Sequence, residues 1–399
     1  MKIAALETLT LAEHPDYLWL LVETDEGIVG TGETMPRTGP VRRVVHDVLA
    51  PIVLGADVAP EALWQRCFQA LNYHGHAGAE FRALSALDIA LWDALGQQAG
   101  LPVYRLLGGP CRNQVPVYNT CVGWGDIDDH ARFTAAPDEL ARELIDAGYP
   151  AMKIWPFDEL SVPTLGQRIG PAGLARGAAP FAAIREAVGD DIEIALEGHS
   201  CWSLPAAIAI AHALEPLRPM WLEDMLPVGN VEAWASLRRA TSIPILGSER
   251  AFGRYAIAPF LQQDAVDIVK QDVGWCGGLT EFVKVAALCA LYERPITPHN
   301  CLGPVGAMAS VHAAAAVPNL FLMESIRAFS TGFFAALADG APVVREGAID
   351  VPERPGLGVR LREDVIARAV RERTEIDRVQ AVGWSAGDPW TPRLGPTAR

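Results

Sequence analysis

Three short apolar runs decide how this chain is read: IEIALEGH (Ile192–His199), PMWLED (Pro219–Asp224) and IPILGSER (Ile243–Arg250). Each carries a glutamate within two residues of its end, Glu197, Glu223 and Glu249, and both steps between them are 26 residues long. A strand that returns to a parallel neighbour needs a crossover of a dozen or more residues, most often a helix. The period therefore predicts three successive strand–helix units of one parallel sheet or barrel. Each unit places a carboxylate at the C-terminal tip of its strand, the end where α/β folds carry their chemistry. Three converging carboxylates repel unless a cation lies among them. Ligation by oxygen alone selects a hard ion, here Mg²⁺. Three unrelated surface acids would not repeat spacing and strand-end position together.

The march continues on both sides. Asp272 follows IVKQ, His299 follows ITP and Glu324 follows LFLM, at steps of 23, 27 and 25 residues. Lys153, in AMKIW, stands at the end of an earlier run, and His199 lies two residues past Glu197. A histidine one unit after an aspartate lets the carboxylate hold one ring nitrogen and leaves the other as a base. Further candidate strands at Val115–Asn119, Ala151–Trp155, Ile268–Gln271, Pro295–Pro298 and Leu320–Met323 bring the total to eight. Eight strand–helix repeats in about 250 residues match a (β/α)8 TIM barrel. An open doubly wound sheet offers no reason for eight units, and no G-x-G-x-x-G follows a strand here. The Gly/Ala/Pro-rich segment Leu160–Ala179 reads as an insertion after the second strand, either a lid or a surface excursion.

Upstream, Tyr17–Glu23 and Gly27–Gly32 read as strands of a β-meander within residues 1–35. Val41–Val53, Glu61–Leu71 and Phe81–Gln98 follow with helical spacing, and in the last the stripe Leu84, Leu87, Leu91, Leu95 runs beside the small residues Ala86, Ala90 and Ala94. Its Asp88 and Asp93 read as structural acids, paired with arginine or capping. His74 and His76 sit in a small polar segment, YHGHAG, read as a loop near a pocket. Strands followed by helices, ahead of an alternating pattern, indicate an α+β cap. The expected division is a cap at 1–114, a barrel at 115–361 and a C-terminal segment at 362–399 that packs on both, with an amphipathic helix at Glu363–Arg378.

Composition narrows the function. Half of the 399 residues are apolar and the net charge is −15, with no blocks of Lys or Arg. Nucleic acid and anionic membranes are therefore not expected partners. Seven cysteines without a Cys-x-x-Cys pair predict neither a disulfide framework nor a zinc site, and fit a cytoplasmic setting. No signal peptide or membrane span is evident. A homo-oligomer is the default for such an enzyme.

These residues resemble the enolase superfamily and, within it, the mandelate racemase subgroup. The segments DIALWDALGQQAGLPVYRLLGG (Asp88–Gly109) and DVGWCGGLTE (Asp272–Glu281) are similar to it, and the resemblance runs over nearly the whole chain. It implies Mg²⁺ on Glu197, Glu223 and Glu249, a dyad of Asp272 and His299 that removes the proton next to a carboxylate, and Lys153 and Glu324 near the resulting enediolate. Glu324 is expected to help as a protonated donor, which needs a raised pKa. Where many subgroup members carry a second lysine on strand two, this chain has Trp155. Glu197-Gly198-His199 resembles the acid-x-His arrangement of galactonate-type dehydratases, in which the histidine protonates the leaving hydroxyl. The resemblance thus implies a Mg²⁺-dependent acid-sugar dehydratase acting on a small carboxylate. A racemase, epimerase or cycloisomerase is the alternative, and a barrel that binds without turnover is a third reading. Specificity is expected from the cap segments Glu13–Asp16, Glu33–Pro40 and Tyr73–Gly78.

Overall fold

The computed structural model describes residues 1–73, 75 and 77–377. His74, His76 and the Trp/Pro/Gly-rich tail lie outside the described residues. Eight strands run parallel around a barrel: Gln114–Thr120, Ala151–Ile154, Glu193–Glu197, Leu222–Glu223, Ile245–Gly247, Ile268–Asp272, Ile296–His299 and Met323–Ser325. Met323–Ser325 pairs back onto the first strand, and a parallel bridge from Ile296 to Leu320 completes the ring. Strands three and seven therefore stand four places apart, on opposite sides.

Alternation along the strands builds the interior in layers. Tyr118, Ala151, Ala195, Trp221, Leu246 and Ile268 form a buried apolar layer inside the barrel. Two residues further along the same faces come Thr120, Lys153, Glu197, Glu223 and Lys270. The polar layer thus rests on a solid apolar floor at the C-terminal mouth. A larger core joins the outer faces of the strands to their helices.

The cap is an antiparallel sheet of Ile3–Thr10, Leu18–Thr24 and Val29–Thr34 against the helix Gly78–Ala99. Its close docking needs glycine. A Cβ on Gly30 would stand 2.0 Å from Ala90 O, and one on Gly32 would stand 1.8 Å from Ala86 O. Ala86, Ala90 and Ala94 are the complementary small residues on the helix. Asp88 and Asp93 are structural, held by N–H and O–H donors, with no arginine ion pair among the described residues. Asp88 accepts from Thr280 N (2.9 Å) and Thr280 Oγ1 (2.6 Å), which fixes the cap helix to the first turn of the barrel helix Gly278–Leu291. Asp93 accepts from Thr31 N and Leu357 N, each at 2.8 Å. Burial pushes Asp88 up to about 7 and Asp93 up to about 6. A Cβ on Gly278 (φ +86°) would stand 2.4 Å from Asp88 Oδ2, so the Gly277-Gly278 pair lets the loop after strand six meet the cap.

Three sequence expectations change. Glu363–Arg368 is a short helix, and Val370–Glu375 is a strand that adds antiparallel to Ile3–Thr10, so no helix runs from 363 to 378. The segment Leu160–Ala179 is not one insertion: from Pro171 it is the first half of the helix Pro171–Val188. Only residues 155–170 form the excursion, and Ser203 N donates to Gly166 O at 3.0 Å to hold it against the loop after strand three. Glu33 is not part of a specificity loop. It is fully buried in the third cap strand, accepts from Trp19 Nε1 (2.8 Å) and Val305 N (3.1 Å), and burial raises it to about 7.

Candidate active site

The three strand-tip glutamates meet. Glu197, Glu223 and Glu249 are buried, and one carboxylate oxygen of each lies within 4.8 Å of the others. Register accounts for two of them, since Glu197 and Glu223 are paired neighbours on strands three and four. Glu249 lies two residues past the end of strand five. Asp224 is buried beside them and ion-paired with Arg250, which also reaches Glu249 Oε1 at 2.8 Å.

A cation suits this cluster on two observations. Glu249 Oε2 and Asp224 Oδ1 are buried without a hydrogen-bond partner. Six carboxyl groups (Glu197, Glu223, Asp224, Glu249, Asp272 and Glu324) crowd the mouth of the barrel, where the permanent cations that ion-pair with them are Lys153, Lys270 and Arg250. The imbalance shows in the acids themselves. Burial and Glu197 raise Glu223, and burial and Glu249 raise Asp224 well above the usual range. Burial also opposes the charge on Glu249, but His299, Arg250 and Lys270 outweigh it and hold that carboxyl down at about 2.

Lys153 lies at the centre. Its Nζ is 3.1 Å from Glu197 Oε2, 2.6 Å from Glu223 Oε1 and 2.9 Å from Glu324 Oε1. Sequence reasoning missed its partner Lys270, which is fully buried and reaches Glu223, Glu324 Oε2 (3.0 Å) and Tyr118 Oη (3.0 Å). Strand alternation carried the signal, because Lys270 shares the inward face with Asp272. The two lysines correct the expectation for Glu324. Burial favours its neutral form, but Lys153, Lys270 and His299 hold it well below the usual range. Glu324 is therefore an ionised acceptor, which also takes Thr120 Oγ1–H and Asn300 N–H (3.1 Å), and not a protonated donor.

Two histidines stand on opposite sides of this centre, each with a carboxylate. On strand seven, His299 Nδ1 is 2.5 Å from Asp272 Oδ2, and Asp272 Oδ1 accepts from Gly274 N at 2.7 Å. Strands six and seven pair Asp272 with His299 directly. The other ring nitrogen, Nε2, lies 3.7 Å from Glu324 Oε2. Burial disfavours the imidazolium, but Cys301, Glu324 and Asp272 outweigh it and raise the proton affinity of the ring.

After strand three, His199 has left-handed backbone (φ 45°), sparsely populated for a residue with a Cβ. Its N–H donates to Glu197 Oε1 at 2.8 Å. Its Nδ1 lies 2.5 Å from Asp158 Oδ2. Burial lowers the proton affinity of this ring, yet Glu197 and Asp158 raise it overall. Asp158 is the second residue missed from sequence. It comes from the excursion after strand two, 41 positions away, and only the docking of that excursion brings it to His199. Trp155 meets the His199 ring edge-on at 5.7 Å, so an indole stands where the resemblance would place a second lysine. The cap loop Glu13–Asp16 closes one side: His14 stacks on Trp124 (5.4 Å) and packs on Phe333 (4.8 Å), from the loops after strands one and eight.

Comparison with known proteins gives the same architecture. A family profile described as "Enolase C-terminal domain-like" matches residues 137–365, and "Mandelate racemase / muconate lactonizing enzyme, N-terminal domain" matches residues 5–108. The chain belongs to the mandelate racemase subgroup of the enolase superfamily. The D-galactonate dehydratase of Xanthomonas oryzae pv. oryzae is 32% identical over 382 residues, which cover 92% of this chain and 94% of the relative. The D-gluconate dehydratase of Thermoproteus tenax is 32% identical over 393 residues, covering 97% of this chain and 77% of the relative. Among solved structures, an enolase of the mandelate racemase subgroup from Agrobacterium tumefaciens superposes with a TM-score of 0.88 at 38% identity, covering 94% of this chain and all of that one. Among the described residues of this subgroup member, no helix is long and apolar enough to cross a membrane.

Proposed function

We propose that this chain is a Mg²⁺-dependent dehydratase of a sugar acid. The observation that carries the proposal is the pair of histidine–carboxylate couples on opposite barrel strands, His299–Asp272 and His199–Asp158, with the three glutamates between them. Glu197, Glu223 and Glu249 would hold the ion. Mg²⁺ there would supply positive charge that favours a developing enediolate and the neutral form of His299.

His299 Nε2 takes the proton next to the substrate carboxylate, while Asp272 holds Nδ1–H and steadies the imidazolium that forms. Negative charge then grows on the substrate carboxylate, toward the ammonium group of Lys153. Glu223 and Glu324, the acids that Lys153 shares with Lys270, keep that ammonium in place before the reaction. His199, protonated and oriented by Asp158, gives its proton to the β-hydroxyl, which leaves as water. The resulting enol tautomerises to a 2-keto-3-deoxy acid. A racemase would need a second base opposite His299. Trp155 stands where the lysine would, both inward lysines are engaged by carboxylates, and His199, whose proton affinity Glu197 and Asp158 raise, suits an acid rather than a base. The dehydratase names of the two relatives support the reading, and seven free cysteines fit a reducing cytoplasm.

The test is a screen of aldonic and aldaric acids with Mg²⁺ for formation of a 2-keto acid. The expected result is turnover of at least one acid that stops when the metal is chelated. Racemisation or epimerisation without loss of water would overturn the dehydratase assignment.

A further inference from the structure

His299 has a second neighbour that the proposed chemistry does not use. Cys301 Sγ lies 4.0 Å from His299 Nδ1, the nitrogen that also faces Asp272 Oδ2 at 2.5 Å. One ligand atom from each of Asp272, His299 and Cys301 lies within 4.8 Å of the others. Asp272 and His299 are buried, and Cys301 is the least buried residue of the trio. This cluster differs in kind from the glutamates. It offers sulfur, imidazole nitrogen and one oxygen, a set that selects a thiophilic cation, whereas the glutamates offer oxygen alone.

We propose that Asp272, His299 and Cys301 form a second, inhibitory metal site that takes a thiophilic divalent cation such as Zn²⁺. Bonds of about 2.3 Å to sulfur and about 2.0–2.2 Å to nitrogen and oxygen set neighbouring ligand atoms of a tetrahedral site roughly 3.3–3.6 Å apart. The nitrogen–sulfur separation therefore closes by about half an ångström, and the nitrogen–oxygen separation opens by nearly one ångström. Small side-chain rotations supply both movements, and Gly274 N still anchors the other oxygen of Asp272.

The consequence for the base follows from proton accounting. Metal binding forms a sulfur–metal bond and releases the thiol proton to solvent. The imidazole proton moves from Nδ1, where the metal binds, to Nε2. The ring stays neutral but presents an N–H where the base needs a lone pair. Asp272 also gives up its hold on the ring. The site therefore switches the base off while the glutamate cluster keeps its own ion.

Co²⁺ is the probe, because a thiolate bound to it gives a near-ultraviolet charge-transfer absorption that oxygen ligands cannot produce. With Mg²⁺ saturating, the protein is expected to show this absorption on addition of Co²⁺. Zn²⁺ should displace it, and Cys301→Ser and Cys301→Ala should lack it. Relative to its own uninhibited rate, Cys301→Ser should need roughly 10- to 100-fold more Zn²⁺ for half-inhibition, since a lost ligand costs at least as much affinity as a lost outer-shell partner. The absorption is read without turnover, so it stands or falls separately from the proposed substrate. Absence of the absorption, its survival in both variants, or equal Zn²⁺ inhibition of Cys301→Ser and the unaltered protein would overturn the site.

Discussion

Replacing Asp158 by asparagine tests the division of labour between the two histidines. Asp158 Oδ2 lies 2.5 Å from His199 Nδ1, and the two side chains are 25% and 39% exposed. A hydrogen bond to a charged group is worth about 1.5–3 kcal/mol when buried, and an exposed ion pair about 0.2–1 kcal/mol. This couple lies between the two regimes, so its loss should cost the imidazolium about 1.4 kcal/mol, or one pKa unit. The sign follows from the proposed role. Asp158, after Glu197, raises the proton affinity of His199, and a general acid works only while protonated. Asp158→Asn should therefore move the alkaline limb of the dehydration profile down by about one pH unit. Above that limb turnover should fall roughly tenfold. Exchange of the substrate α-proton with solvent depends on His299 and should keep its own profile. The assay is the pH dependence of both rates on one substrate. A uniform drop of both rates without a shifted limb would refute the reasoning and leave Asp158 a purely structural residue.

Other outcomes follow from the same contacts. Glu249→Gln removes a proposed ligand whose Oε2 has no hydrogen-bond partner, so calorimetry should show weakened Mg²⁺ binding; metal-free stability should also fall, but less than for the next variant, because Arg250 loses Glu249 Oε1 and keeps Asp224. Glu223→Gln should also weaken Mg²⁺ but lower metal-free stability by about 3–5 kcal/mol, because Lys153 and Lys270 lose a shared buried acceptor; equal stability of the two variants would contradict this. His312 is buried as a neutral ring, accepting from Tyr104 N (3.1 Å) at Nδ1 and bonded to Leu357 O (3.0 Å) at Nε2. Burial lowers it from 6.5 to about 4. The unfolded chain therefore binds the extra proton first, and stability present above pH 6.5 should fall by about 2 kcal/mol by pH 5. Denaturant titrations should show that fall in the unaltered protein and lose this part of it in His312→Gln; parallel curves would exclude the assignment.

The fold was legible because two kinds of repetition coincide in the chain. The steps of about 26 residues gave the strand–helix unit, and the ionisable residue closing each run gave the open end of the barrel. Glu197, Glu223 and Glu249 could be grouped without coordinates because equivalent tips of neighbouring strands must meet. Asp272 and His299 were legible for the same reason. Lys270 was within reach of that logic, since it lies two residues before Asp272 on an inward face. Asp158 was not, because its position depends on how residues 155–170 fold back, and no period governs that loop. The ionisation of Glu324 was misread because it depends on two ammonium groups converging from strands two and six. The segment from Pro171 to Ala179 was misread because small residues suit a loop and a closely packed helix equally well.

The most direct test of the mechanism is substrate α-proton exchange in D₂O with Mg²⁺, measured on His299→Asn and His199→Asn. His299→Asn should lose both exchange and dehydration, because no enediolate forms. His199→Asn should lose dehydration by roughly 10²–10⁴-fold, as expected for a lost general acid, yet continue to exchange the α-proton. The reverse pattern, with exchange stopped by His199→Asn and spared by His299→Asn, would place the base on strand three and contradict the account.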